Sequence, residues 1–243
     1  MQVWGLTDPG CVRPQNQDAL RIEQLDRRCY LCVVCDGMGG AKSGNVASSL
    51  AIDVFVQEVK RSRKTGMTTQ QVGQMLRGAV KLANFTVYDQ AQQFEEFSGM
   101  GTTLVAAYIE DRRAVIVNVG DSRAYLMNGE GVQCVTTDHS LVQLMVQRGE
   151  LTQEQAKRFP GKNFITRAIG TEALVECDLF DAELERGDFL LLCSDGLSNL
   201  LDDQELLFEV VHGVNKELCC RRLIDIAKSR GAPDNVTCVL AAI

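Results

Sequence analysis

Histidine is almost missing from this chain: His139 and His212 are the only two in 243 residues. A site built on clustered imidazoles is therefore excluded. Long apolar runs are missing as well, and none approaches the ~20 residues needed to cross a bilayer. Cationic runs are nearly absent. Lys60–Lys64 (KRSRK) is short and reads as a solvated helix end, where cations complement the helix dipole. With a net charge of −7, non-specific nucleic-acid binding is not expected. The start, MQVWGLTDPG, has no basic segment followed by an apolar stretch, so no signal peptide is expected. No internal repeat or Pro/Ser-rich linker divides the chain, and the expectation is one domain over residues 1–243. Neither a membrane association nor an oligomer is signalled, so a cytoplasmic monomer is expected.

Cysteine, by contrast, is abundant at ten residues, and in a cytoplasmic setting these read as reduced thiols. Cys29, Cys32 and Cys35 form C-x-x-C-x-x-C, part of an iron–sulfur ligand run. The match fails in detail. Met38 stands where a fourth Cys belongs, and in a strand Cys32 faces away from the other two.

The chain is organised around Leu31–Gly40, LCVVCDGMGG. Its apolar run bounded by glycine reads as a buried strand. Asp36 sits where that strand emerges, a costly place for an ionised carboxylate unless a cation or dense hydrogen bonding compensates it. The glycines after it let backbone approach a ligand closely.

Residues 3–6 and 20–35 read as strands joined by a polar loop, Thr7–Asp18. A helix follows from Gly44 to about Lys60, with Val46, Leu50, Val54 and Val59 at helical spacing beside Ala47 and Ala51. A second spans Gln70–Glu96. Strands are expected at Thr103–Ile109, Ala114–Val119, Ser122–Met127 and Val132–Val135, with hairpin-like turns between them. Leu141–Arg158 is polar and helical, with a helix beginning at Thr152. Phe164–Ile169 and Ala173–Phe180 are short β-like pieces. The apolar run Phe189–Cys193 leads into Ser194-Asp195-Gly196. Helices at Asp203–Val211 and Lys216–Ser229 precede a last strand, Val236–Ala242. Hairpin-length loops argue against a doubly wound parallel sheet and for a layered α+β domain.

Asp36 and Asp195 each end an apolar run and precede Gly, and Asp234 opens the final strand. Asp18 and Asp121 sit in comparable turns. Five aspartates at strand–turn junctions suit a hard-oxygen site for Mg²⁺ or Mn²⁺. Two such cations roughly 3.5–4 Å apart can hold a bridging water and clamp an oxyanion, and phosphate esters are natural substrates for that arrangement. Arg13, in the loop before Asp18, could grip phosphate oxygens with its planar fork.

Eight fragments then occur in order: TDPGCVRPQNQDA (7–19), DGMGG (36–40), GMGTT (99–103), GDSRAY (120–125), TDHS (137–140), ITRAIG (165–170), SDGL (194–197) and GAPDNVT (231–237). Together they resemble the metal-dependent serine/threonine phosphatases of the protein phosphatase 2C family, most closely the compact bacterial members. The resemblance implies a four-layer α/β/β/α sandwich with two central antiparallel sheets. It also implies a two-cation Mg²⁺ or Mn²⁺ centre at one edge, and hydrolysis of phosphoserine and phosphothreonine by in-line attack of a hydroxide bridging the cations. Asp36 would bridge both, with the Gly37 carbonyl on one and Asp195 and Asp234 on the other. Asp18 would act through metal-bound water, and Asp121 with Asp195 would form a weaker third site. Arg13 would bind the substrate phosphate. Residues 141–163 map to the flap beside the site. Phosphoproteins, a serine/threonine kinase among them, are the implied partners.

The pattern is not complete. Ala41 replaces a His common in bacterial members, Asn45 a Glu, and Met38 a His that animal members carry. The general acid is thus unassigned, and His139 is expected to hold a strand-to-helix junction instead. An aspartyl-phosphate phosphohydrolase would need a second Asp where Met38 stands. A regulatory pseudophosphatase would be signalled by loss of a ligand Asp, and none is lost.

Overall fold

The computed structural model describes residues 1–39, 43–157, 159–161, 163–213 and 215–243. Strands β1 (Gln2–Asp8), β2 (Asp18–Asp26) and β3 (Cys29–Met38) lead into helices α1 (Gly44–Ser62) and α2 (Thr69–Gln93). The short β4 (Gly101–Thr102) precedes β5 (Leu104–Glu110), β6 (Arg113–Val119), β7 (Arg123–Asn128) and β8 (Gly131–Cys134). Two short helices follow, α3 (Leu141–Gln147) and α4 (Gln153–Lys157), then β9 (Asp178–Glu183) and β10 (Phe189–Cys193). Helices α5 (Asp195–Ser198), α6 (Asp203–Leu207) and α7 (Cys219–Ser229) come before β11 (Val236–Ala242).

Two antiparallel sheets result, in strand orders β1-β11-β10-β7-β8 and β2-β3-β5-β6-β9, with β4 paired to β3. Alternation along β3 shows how they stack. Cys29, Leu31, Val33 and Cys35 pack against α1 and α2, whereas Cys32 and Val34 face the other sheet with Leu190, Leu192 and Val239. A strand buried on both faces reads as a continuous apolar run, which is why this one was legible. Leu191, Tyr125 and Cys238 on the outer face of the first sheet pack with Leu223 and Ile224 of α7. The layers are therefore helix, sheet, sheet, helix. All ten cysteines are free, and Cys32 points away from Cys29 and Cys35.

Several elements differ from the sequence expectation. Residues 20–35 are a hairpin rather than one run, because Asp26 accepts the Arg28 amide at 2.9 Å and turns the chain. The buried stripe of α1 runs through Ala47, Ala51, Phe55 and Val59, while Val46, Leu50 and Val54 are only partly buried. Small residues at 47 and 51 bring the helix close to β3, and burying a ring such as Phe55 contributes ~1.5–3 kcal/mol. The helical stretch 141–158 is two helices, separated at Gly149 with its positive φ of 73°. Thr152 caps the second, accepting the Gln155 amide at 3.2 Å. Phe164–Ile169 forms isolated bridges rather than a strand, Ser140 to Ile165 and Thr102 to Ile169. Ala173–Cys177 is not extended into β9 because buried Asn84 on α2 claims the carbonyls of Glu172 and Ala173, at 3.0 and 3.3 Å. Helix α7 begins at Cys219, not Lys216, and α6 passes into a π turn at Phe208–His212.

Candidate functional site

Strand register gathers the aspartates before any side chain is considered. In one sheet Asp8 pairs with Val236 and Cys193 with both Cys238 and Arg123, so the approaches to Asp234, Asp195 and Asp121 share one edge. In the other, Asp18 pairs with Asp36, and Leu104 with Val119. Polar bonds join the two edges. Ser194 Oγ donates to Asp18 Oδ2 at 2.7 Å, and the Gln17 amide donates to Asn235 Oδ1 at 2.8 Å.

Backbone around Asp36 is held from both sides. Its amide donates to Thr103 Oγ1 at 2.9 Å, and its carbonyl accepts from the Thr103 amide and Thr102 Oγ1, each at 2.9 Å. The Gly37 amide donates to the Gln17 carbonyl at 3.1 Å. A Cβ on Gly37 would lie 2.1 Å from the Gly44 carbonyl oxygen and 2.5 Å from that of Gln17, so only glycine fits. Asp195 Oδ2 accepts from Asn199 Nδ2 at 3.0 Å. Asp234 Oδ2 pairs with the guanidinium of Arg13 at 2.8 Å, and Arg13 is half exposed at the rim. Asn235 is nearly sealed from solvent and donates to the carbonyls of Pro9 at 2.9 Å and Gln15 at 3.0 Å. It ties the Arg13 loop to the Asp18 turn.

The electrostatics are those of carboxylates short of positive charge. Burial, then the nearby Asp18, Asp195 and Asp121, hold the Asp36 carboxyl well above the usual carboxylate range, and a hydrogen bond shared with Asp195 adds to this. Burial pushes Asp18 up to about 7, against hydrogen bonds from Thr237 and Ser194 and with the Asp195 and Asp234 charges. Burial and Asp195 push Asp121 up to about 8. Asp234, then Asp36 and Asp195, raise Arg13. Asp18 Oδ1 is buried with no hydrogen-bond partner. An orphaned carboxylate oxygen beside crowded carboxyls and a glycine backbone fits a divalent cation with hard-oxygen preference. Among the described residues no three His, Cys, Asp or Glu side chains are grouped to hold a metal unaided. Mg²⁺-type centres keep waters and use one or two carboxylates each, so the donor set still suits them.

All seven residues singled out from sequence, Arg13, Asp18, Asp36, Gly37, Asp121, Asp195 and Asp234, belong to this edge. Asn235, Ser194, Thr103 and Ser122, the last two hydroxyls 2.7 Å apart, were not singled out. Their signal was present only as short polar neighbours inside the same fragments. Met38 ends β3 and pairs with Gly101, and Asn45 is exposed on α1. Gly40 and Ala41 lie outside the described residues. His139 is buried at the junction before α3, and His212 lies on the π turn against Phe208. A cavity of about 950 Å³ is lined by Asp121 and Asp195 together with Val142, Ala156, Leu200 and Asp203.

An α/β/β/α sandwich whose edge is lined by buried carboxylates offers hard-oxygen donors suited to a divalent cation and to phosphoester chemistry. The chain belongs to the protein phosphatase 2C family of serine/threonine protein phosphatases: the family's sequence model, described as protein phosphatase 2C, matches residues 14–222. The chain is 36% identical over 236 residues to the serine/threonine phosphatase stp of Listeria monocytogenes, covering 96% of this chain and 92% of that protein. It is similar to the solved serine/threonine phosphatase Stp1 from Staphylococcus aureus, with a TM-score of 0.92 and 39% identity over 100% of this chain and 94% of that one. The Mycobacterium tuberculosis serine/threonine phosphatase PstP/Ppp matches at a TM-score of 0.90 with 33% identity, covering 100% and 98%.

Proposed function

We propose that this phosphatase removes phosphate from phosphoserine and phosphothreonine of proteins at a centre of two divalent cations, Mg²⁺ or Mn²⁺. Asp36, the Gly37 carbonyl, Asp195 and Asp234 would hold them, with Asp18 joining through water and Asp121 serving a third, weaker site. Cations bound there supply an acidified water as nucleophile and positive charge against the phosphoryl oxygens. The observation that carries this reading is the facing pair Asp18–Asp36, with one Asp18 oxygen buried and unpartnered.

The residues divide the remaining work. Thr102 and Thr103 fix the Asp36 backbone, and so the point from which its side chain leaves the strand. Arg13, half exposed at the rim and paired with Asp234, offers planar N–H donors to phosphoryl oxygens. With no histidine at position 38, we assign the leaving-group proton to solvent at the open mouth. The polypeptide flanking the phosphoresidue lies in the cavity that Val142, Gln153, Ala156 and Asn163 line, and residues 141–163 are the flap of the single catalytic domain 1–243. Every expected carboxylate is present, so no observation favours a silent binding module. The substrates on this reading are phosphoproteins, a serine/threonine kinase among them, met by a cytoplasmic monomer. Among the described residues no helix is long and apolar enough to cross a membrane.

The test is phosphate release from a phosphothreonine peptide. It should require Mn²⁺ or Mg²⁺, stop with chelator, and be abolished in Asp36→Asn. Metal-independent turnover would overturn the reading.

A further inference from the structure

His139 holds Gly120 by both of its backbone groups. The Gly120 amide donates to His139 Nδ1 at 3.1 Å, and the His139 amide donates to the Gly120 carbonyl at 2.9 Å. Asn118 Nδ2 adds a bond to the same carbonyl at 3.2 Å. Gly120 has a φ of 107°, and a Cβ there would lie 2.5 Å from Thr103 Cγ2, so the position calls for glycine. The next residue is Asp121.

A backbone N–H can only donate, so Nδ1 carries no proton and the neutral ring holds its hydrogen on Nε2. Asp178 on β9 accepts it: Nε2 lies 3.2 Å from Asp178 Oδ2. Arg167 donates to the other Asp178 oxygen at 3.0 Å, and its 3.2 Å approach to Nε2 is two donors meeting over one carboxylate. Burial keeps the ring on the neutral side. The His139 carbonyl also accepts the Thr166 amide at 2.7 Å, beside the Ser140–Ile165 bridge. One residue thus fastens the Asp121 turn to the root of segment 141–163.

We propose that His139, oriented by Asp178, is a positioning residue that sets the Gly120–Asp121 turn and with it the direction of the Asp121 carboxylate. A junction-filling role would need only the ring's volume. The positioning role needs an acceptor at the Nδ1 place. This proposal rests on the reading of Asp121 as a ligand of the weaker cation site.

Asparagine and glutamine separate the two roles. In His139→Asn the amide oxygen can stand near Nδ1 and accept from Gly120. In His139→Gln the amide reaches the Nε2 place and serves Asp178 but not Gly120. Mn²⁺ titration calorimetry should show the weaker site losing affinity about tenfold or more in His139→Gln, with the tighter sites unchanged and His139→Asn near the parent, as expected when a ligand's orienting partner is removed. In the unaltered metal-free protein, long-range ¹H–¹⁵N spectra should show the Nε2–H tautomer, and the Gly120 and Asp121 amide shifts should move in His139→Gln but not in His139→Asn. Equal effects of the two variants, an unaffected weaker site in both, or an Nδ1–H tautomer would overturn the proposal. Asp121→Asn is the separate control. If it leaves the number of bound Mn²⁺ unchanged, the ligand reading of Asp121 fails, while the tautomer and amide shifts still decide whether His139 sets the turn.

Discussion

Asp18 and Asp36 are direct partners across the antiparallel pair β2–β3. Like charges in that relation destabilise a sheet. The pair is made worse by burial and by Asp195, and one Asp18 oxygen has no partner. The fold accepts this cost at a single edge, where a cation can reverse its sign.

Asp36→Asn should therefore divide stability from function. With chelator present, the variant should melt higher than the parent by about 2–8 °C, because roughly 1–2 kcal/mol of carboxylate repulsion and desolvation is removed. Phosphatase activity with Mn²⁺ should fall by at least about 100-fold. Differential scanning calorimetry and a phosphopeptide assay on the same preparation check both. A metal-free protein destabilised by the change would contradict the electrostatic account.

The metal-free protein should lose stability as pH rises from about 4 to 8. Asp18 at about 7 and Asp121 at about 8, with Asp36 well raised, have folded values above an unfolded value of 3.8. Between those limits the folded state binds more protons than the unfolded one, so their contribution is full below the unfolded value and lost through the folded ones. Cations compete with those protons, and the rise in melting temperature on adding Mn²⁺ should be larger at pH 8 than at pH 5. Melting curves across pH with chelator and with Mn²⁺ test the sign.

Arg13→Ala should leave thermal stability nearly unchanged, since the Arg13–Asp234 pair is half exposed and such pairs contribute about 0–1 kcal/mol. Its kcat/KM should fall about 10–1,000-fold. Arg13→Lys should recover little, because an ammonium lacks the planar fork. An Arg13→Ala enzyme with parental kinetics would remove the residue from the phosphate site.

Asn235→Ala should lower both stability and metal affinity, although Asn235 is not a proposed ligand. It is buried and bonded to Gln17, Pro9 and Gln15, so truncation strands three backbone groups at a cost of roughly 2–4 kcal/mol. The urea midpoint should drop, and Mn²⁺ titration should show weaker binding at the Asp234 side.

Much of this molecule was legible in one dimension. Cys29–Cys35 and Phe189–Cys193 read as core strands because burial on both faces leaves an unbroken apolar run. Asp36, Asp195 and Asp234 stood out because each carboxylate sits where such a strand meets a turn, and the ordered fragments pointed to the family. Local pattern failed where distant atoms decide. Nothing near Ala173 announces that Asn84 takes its carbonyl, and nothing near His139 announces Gly120 or Asp178. Nor does periodicity reveal that the α1 stripe rotates toward Ala47 and Ala51, because that choice follows from how closely β3 must approach.

The kinds of atoms available follow from residue order alone: hard carboxylate oxygens at strand ends, glycines that free the backbone, one arginine nearby and almost no imidazole. Folding in three dimensions is what sets Asp18 opposite Asp36, lets Ser194 and Asn235 bind the two sheet edges together, and puts His139 on the turn before Asp121. The reason is physical. Register and sheet packing are set by contacts between residues far apart in the chain, and a chain read locally carries no record of which ends will meet.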